Sequence, residues 1–125
     1  MTLTDFLLAR IDEDEAVALN ALHPDAKGIP GEWVTEHYGS QYHDEPDRCH
    51  IAEDRAGHYW TVAHEVSIPN AEHMARHDPA RVLRECQAKR QLIERVGNPD
   101  WAGFDILALP YANHPDCPLI EGDVA

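Results

Sequence analysis

The sequence predicts an α+β domain in which three or four helices pack on a small antiparallel sheet. Three observations predict it: a long amphipathic helical stretch at 70–97, a second at 1–23, and two strand-like runs separated by a hairpin-type turn. At 125 residues the chain is expected to be one domain, 1–125, with a single modest core. Its parts are an acidic helix (1–23), short strands and a loop (33–66), a central helix pair (70–97), and a short helix with a tail segment (101–116).

The central stretch has the clearest punctuation. Asp78 can accept from the free N–H groups of a first helical turn, and Pro79 suits the first helical position because it has no N–H to leave unpaired. Val82, Leu83, Cys86, Leu92, Ile93 and Val96 then form one apolar stripe. Gly97 supplies a left-handed cap, and Asn98-Pro99 prevents continuation. Arg81, Arg84, Lys89, Arg90 and Arg95 fall on the other face and read as a solvated surface. Just upstream, a short helix at 70–77 would set His73 and His77 four apart on one face.

The first helix is predicted to begin at Thr2, with Thr2 and Asp5 as a capping box and Met1 packed on Phe6. Leu7, Leu8, Ile11, Ala18, Leu19 and Leu22 are expected to share its buried face. Glu15 falls within that face and needs a partner there, with His73, Arg76 and Arg81 as candidates. Asp12 and Glu13 read as solvated charges, with Asp14 at the edge. His23-Pro24 ends the helix, and the Pro/Gly-rich 24–32 is a loop. A strand is expected at 33–38 and an exposed acidic loop at 39–48. Strands at 49–53 and 58–66 flank the turn Asp54-Arg55-Ala56-Gly57. On the last strand His58, Trp60, Val62, His64 and Val66 should alternate onto one face. A helix at 101–109 stopped by Pro110, a polar segment at 111–116 and a frayed 121–125 complete the chain.

Composition restricts function. The formal net charge is -13, yet residues 76–95 carry six basic and three acidic side chains, so a basic helix lies within an acidic protein. That charge argues against direct binding to nucleic acid or anionic lipid. It suits solubility, or the presentation of carboxylates to a basic partner as in a DNA mimic. No apolar run approaches the roughly 20 residues needed to span a bilayer. The N-terminus has no basic leader, and three cysteines without CxxC spacing fit a reducing cytoplasm. There is no phosphate-cradling Gly-rich loop and no dinucleotide fingerprint. Cys86 lies on the apolar stripe, and Cys49, an exposed thiol candidate, has His50 on the opposite face of a strand, so neither makes a nucleophile–base pair.

Three segments, FLLARIDEDE at 6–15, HMARHDPARVLRECQAKR at 73–90 and LALPYANHPD at 107–116, together resemble a family of small proteins of unknown function from actinobacteria and their phages. Its members share the acidic helix, HIARHDPARVL and LALPYADHPDY. The resemblance implies an intracellular bacterial or phage setting and supplies no activity. The matching positions are Arg10, Glu13, Asp14 and Glu15, then His73, Arg76, His77, Asp78, Pro79 and Arg81, then Tyr111, His114 and Asp116. Asn113 and Cys117 depart from the pattern, and His58 and His64 lie outside it.

Two readings of these residues follow. In the chemical one, His73, His77 and His114 meet Glu15 or Asp116 as a His/carboxylate site for a divalent metal such as zinc, manganese or iron, supporting hydrolysis through a metal-bound water. In the structural one, Arg76, His77 and Arg81 form a hydrogen-bonded joint that ties the helix corner to the acidic first helix and to Tyr111–Asp116, with no cofactor. The structural reading is preferred, because caps and corners account for the residue types without a ligand. The leading expectation is therefore a cytoplasmic accessory or binding protein that meets a basic protein partner through Asp12, Glu13, Asp14, Asp44, Glu45 and Asp47. A small metal-dependent hydrolase is the alternative, and self-association through 101–109 a third reading.

Overall fold

The computed structural model describes residues 2–22, 31–36, 48–55 and 58–118. The element order is α1 (Leu3–Asn20), β1 (Trp33–Glu36), β2 (Arg48–Arg55), β3 (His58–Ser67), α2 (Ile68–Arg76), α3 (Pro79–Val96), α4 (Gly103–Ala108) and a short 3-10 turn, Leu109–Tyr111. This is the expected α+β fold. The chain divides into two compact units, one formed by Met1–Ala16 with Glu85–Ala125 and the other by Val17–Arg84. The Met1 staple, the loop from residue 23, the acidic loop bearing Asp44, Glu45 and Asp47, the Ala56-Gly57 turn and the 121–125 tail lie outside the described residues.

In the first unit, the capping box forms as the sequence requires. Thr2 N–H donates to Asp5 Oδ2 and Asp5 N–H to Thr2 Oγ1, both at 3.1 Å. Leu7, Phe104 and Ala108 make the core, with Leu3, Ile93, Val96, Leu107 and Tyr111 packed around them. The buried side of α1 is Phe6, Leu7, Arg10, Ile11 and Ala18, whereas Leu8 and Leu19 are exposed. The expected stripe was thus rotated. An arginine occupies a core-facing position because its guanidinium sits over the Phe6 ring, 5.3 Å from the centroid, where its charge meets the π face.

Gly97, with φ 66°, ends α3 as expected. Of the expected α3 stripe, Leu92 is exposed, whereas Cys86 is buried and Val82, Leu83, Ile93 and Val96 are half-buried. The last helix is shorter than 101–109. Pro110 joins the 3-10 turn rather than stopping the chain, since a first-turn proline has no N–H to leave unpaired.

In the second unit the three strands form an antiparallel sheet of order β1-β2-β3. Cys49 and Ile51 of β2 and Ala71 of α2 are buried together, flanked by Trp33, Ala63, Val66, Ile68 and Met74. Cys49 is therefore a core residue, not an exposed thiol. Helix α2 begins at Ile68, two residues earlier than expected, with Pro69 in its first turn.

The predicted alternation along β3 fails at two places, at His64-Glu65 and again at Val62, which has no β2 partner between Ile51 and Ala52. Cys49 pairs with Val66 and Ile51 with Ala63, so the single residue His50 faces two, His64 and Glu65. Glu65 takes φ 51°, a left-handed conformation that L side chains adopt at a cost of about 1–2 kcal/mol. The extra residue resets the faces: Val66 and Ala63 both point into the core, which strict alternation forbids.

Candidate functional site

The first unit gathers charged side chains from three stretches of sequence. Asp12 and Glu15, three apart on α1, share one side of the helix and receive the two arms of Arg90 from α3. Arg90 Nη2 lies 2.7 Å from Asp12 Oδ1, and Nη1 donates to Glu15 Oε2. A planar guanidinium can hold two carboxylates at once, which an ammonium cannot do in fixed geometry. The hydrogen bonds that Arg90 donates to Glu15, then to Asp12, push its pKa up.

Asp14, next to Glu15 in sequence, accepts through Oδ2 from the Tyr111 hydroxyl at 2.6 Å, and the Tyr111 hydroxyl oxygen accepts from Lys89 Nζ at 3.1 Å. The Lys89 ammonium also stands 5.3 Å from the Tyr111 ring centroid. Burial, then the hydrogen bond from Tyr111 to Asp14 and its charge, raise the phenol pKa well above its ordinary range. Glu13 pairs with Arg10 at 3.1 Å. Every carboxylate from Asp12 to Glu15 therefore has a defined partner. Arg10 Nε and Nη1, by contrast, are buried without a hydrogen bond.

His114 belongs to the same unit. Its ring meets the edge of Phe6 at 5.6 Å, and its Nδ1 accepts from Asp116 N–H at 3.0 Å. With Nδ1 accepting, the neutral ring carries its proton on Nε2, and neither nitrogen offers a free lone pair in this arrangement. Cys86 is buried, with Sγ 3.7 Å from the Ile11 carbonyl oxygen. Burial, then the Asp14 charge, raise its thiol pKa, the opposite of what a nucleophile needs. Thr4, Ile93, Glu94, Gly97, Asn98, Pro99 and Phe104 line an open groove with one carboxylate.

The second unit holds the other candidates at the corner between α2 and α3. Asp78 Oδ1 caps α3 through Arg81 N–H at 2.8 Å, and its Oδ2 accepts from Trp33 N–H at 3.0 Å. Arg81 Nη1 donates to the Arg76 carbonyl at 3.2 Å. Ala80 N–H reaches the Gly31 carbonyl at 3.1 Å. The corner thus joins α2, α3 and the lead into β1. His73 and His77 stand side by side with ring centroids 4.7 Å apart, His77 being the residue that ends α2. Among the described residues, no three His, Cys, Asp or Glu side chains converge as a metal-binding group.

The sequence placed Arg90 and Lys89 on a solvated face and sought the partner of Glu15 among His73, Arg76 and Arg81. The structure assigns Arg90, 75 residues away. One local signal pointed to it: Asp12 and Glu15, spaced i,i+3, can share a cation. Which cation they share depends on helix register, which sequence spacing does not fix.

The fold and this network define a small α+β protein in which the carboxylates from Asp12 to Glu15 are engaged in internal bonds. The chain belongs to a family of unknown function, DUF6221, whose profile matches residues 1–118. It matches no curated protein and no solved structure. Among the described residues no helix is long and apolar enough to cross a membrane.

Proposed function

We propose that this chain is a cytoplasmic accessory or binding protein of an actinobacterium or its phage, acting through contact with a basic protein partner. The observation that carries this reading is the fixed acidic ridge on α1. Arg90, Tyr111 and Arg10 hold the four consecutive carboxylates in place, yet the Asp12 and Glu13 side chains remain 71% and 59% exposed. Carboxylates already held in position lose little side-chain entropy on meeting a cationic surface. The overall charge of -13 favours the same kind of partner. The bacterial or phage setting is supported by the three sequence motifs.

The test is co-purification from the native host with wild-type chain and with Glu13→Lys, across a salt series. The reading expects a defined basic partner that is retained at low salt, released as salt rises, and lost with Glu13→Lys. Capture insensitive to both would contradict it.

A second reading, a small metal-dependent hydrolase, draws on the paired rings of His73 and His77 at the end of α2. His73 and His77 would hold the divalent ion, which would supply an activated water for hydrolysis. Elemental analysis of untagged protein against a His73→Ala, His77→Ala variant tests it. Near-stoichiometric metal lost in the variant supports the hydrolase, and equal metal in both removes it.

A further inference from the structure

The bulge in β3 places two imidazoles against each other on the sheet. His50 is the single β2 residue facing the bulge, and His64 is one of the two β3 residues opposite it. Their Nδ1 atoms are 3.1 Å apart, and the rings meet nearly at right angles, 83°, with centroids 4.7 Å apart. In a regular ladder Glu65 would face His50, and His64 would turn to the other side. The inserted residue, strained at Glu65, is what brings the second imidazole round.

Two Nδ1 atoms at this separation need something between them, because facing lone pairs repel. A shared proton is one solution. A metal ion is the other: two nitrogens each about 2.0–2.1 Å from a tetrahedral zinc stand roughly 3.3 Å apart, close to the separation present here. The pair is open to solvent on the His64 side, so an ion has a path in. Glu36 of β1 lies directly opposite His50 in the ladder, on the same face, and adds negative charge to that edge of the sheet.

We propose that His50 and His64 form a cross-strand, two-imidazole site for a borderline divalent ion of the zinc, nickel or copper class, water filling the remaining positions. Imidazole nitrogen selects these ions over magnesium and calcium, which prefer oxygen. Bound there, the ion clamps β2 to β3 across the bulge.

The experiment is a titration of the untagged full chain with zinc, followed by long-range proton–nitrogen spectra of the imidazole rings, with magnesium as control. Two rings should shift together through Nδ1 and saturate with a single equivalent, while magnesium moves nothing. His64→Gln and His50→Gln should each weaken zinc about tenfold or more. The His73→Ala, His77→Ala variant should leave these shifts in place, which separates this site from the hydrolase reading. Zinc that moves no Nδ1 signal, or that binds His64→Gln as tightly as wild type, would overturn the proposal. The spectra of the wild-type chain decide the matter even where a variant fails to fold.

Discussion

Tyr111 stands between an ammonium and a carboxylate, and its raised pKa has a consequence for stability. The folded value lies above the unfolded one near 10, so the contribution of the neutral phenol is complete below about pH 10 and is lost as pH rises from there through the folded value. Tyrosinate absorbance should show one tyrosine ionising late, together with alkaline unfolding, and Tyr111→Phe should remove that late step. The same variant removes two hydrogen bonds to charged partners and should cost about 1.5–3 kcal/mol near neutral pH. A titration unchanged by the substitution would contradict the assignment. Arg10 makes the opposite case. It is 8% exposed with two nitrogens unbonded, so its burial is poorly compensated. Arg10→Met should be neutral or stabilising in chemical denaturation, by up to about 1–2 kcal/mol, and a loss above about 2 kcal/mol would show that the pairing with Glu13 and Phe6 outweighs desolvation. Neither role was legible from residue type, because both depend on what lies above the side chain in space.

At the scale of elements, two of the residues with a left-handed backbone, Gly31 and Glu65, should respond in opposite ways. Gly31 has φ 83°, and a Cβ there would stand 2.7 Å from Leu22 Cδ2 and 2.9 Å from Pro79 Cβ. Its N–H donates to the buried Glu53 carboxylate at 2.8 Å, so the segment cannot easily back away. Gly31→Ala should therefore cost roughly 2 kcal/mol or more. Glu65→Gly should gain up to about 1 kcal/mol by relieving the bulge, set against the greater freedom of glycine in the unfolded chain. Urea denaturation of both variants checks the pair, and equal signs would contradict the backbone account. The helix ends were readable because capping is local: Thr2 with Asp5, Asp78 with Pro79, and Gly97 each act within one turn. The bulge was not, since it is a relation between two strands that only their pairing defines.

At the scale of the whole molecule, net charge and internal pairing pull in different directions. A charge of -13 repels itself, and salt should screen that repulsion and raise the midpoint of thermal unfolding. An unfolding midpoint that falls steadily with salt would mean that ion pairs dominate instead. The fold class was legible because periodicity and turns report on elements one at a time. The network on α1 was only half legible, because Glu15 could be seen to need a partner while Arg90 is brought to it by tertiary packing. The central claim is that this long-range pairing holds the acidic ridge in place. A double-mutant cycle between Glu15→Gln and Arg90→Gln, read by urea denaturation, tests it most directly. The account predicts a favourable coupling of about 0.5–1 kcal/mol, since both side chains are about one-third exposed and screened by solvent. Additive effects, with a coupling indistinguishable from zero, would contradict it.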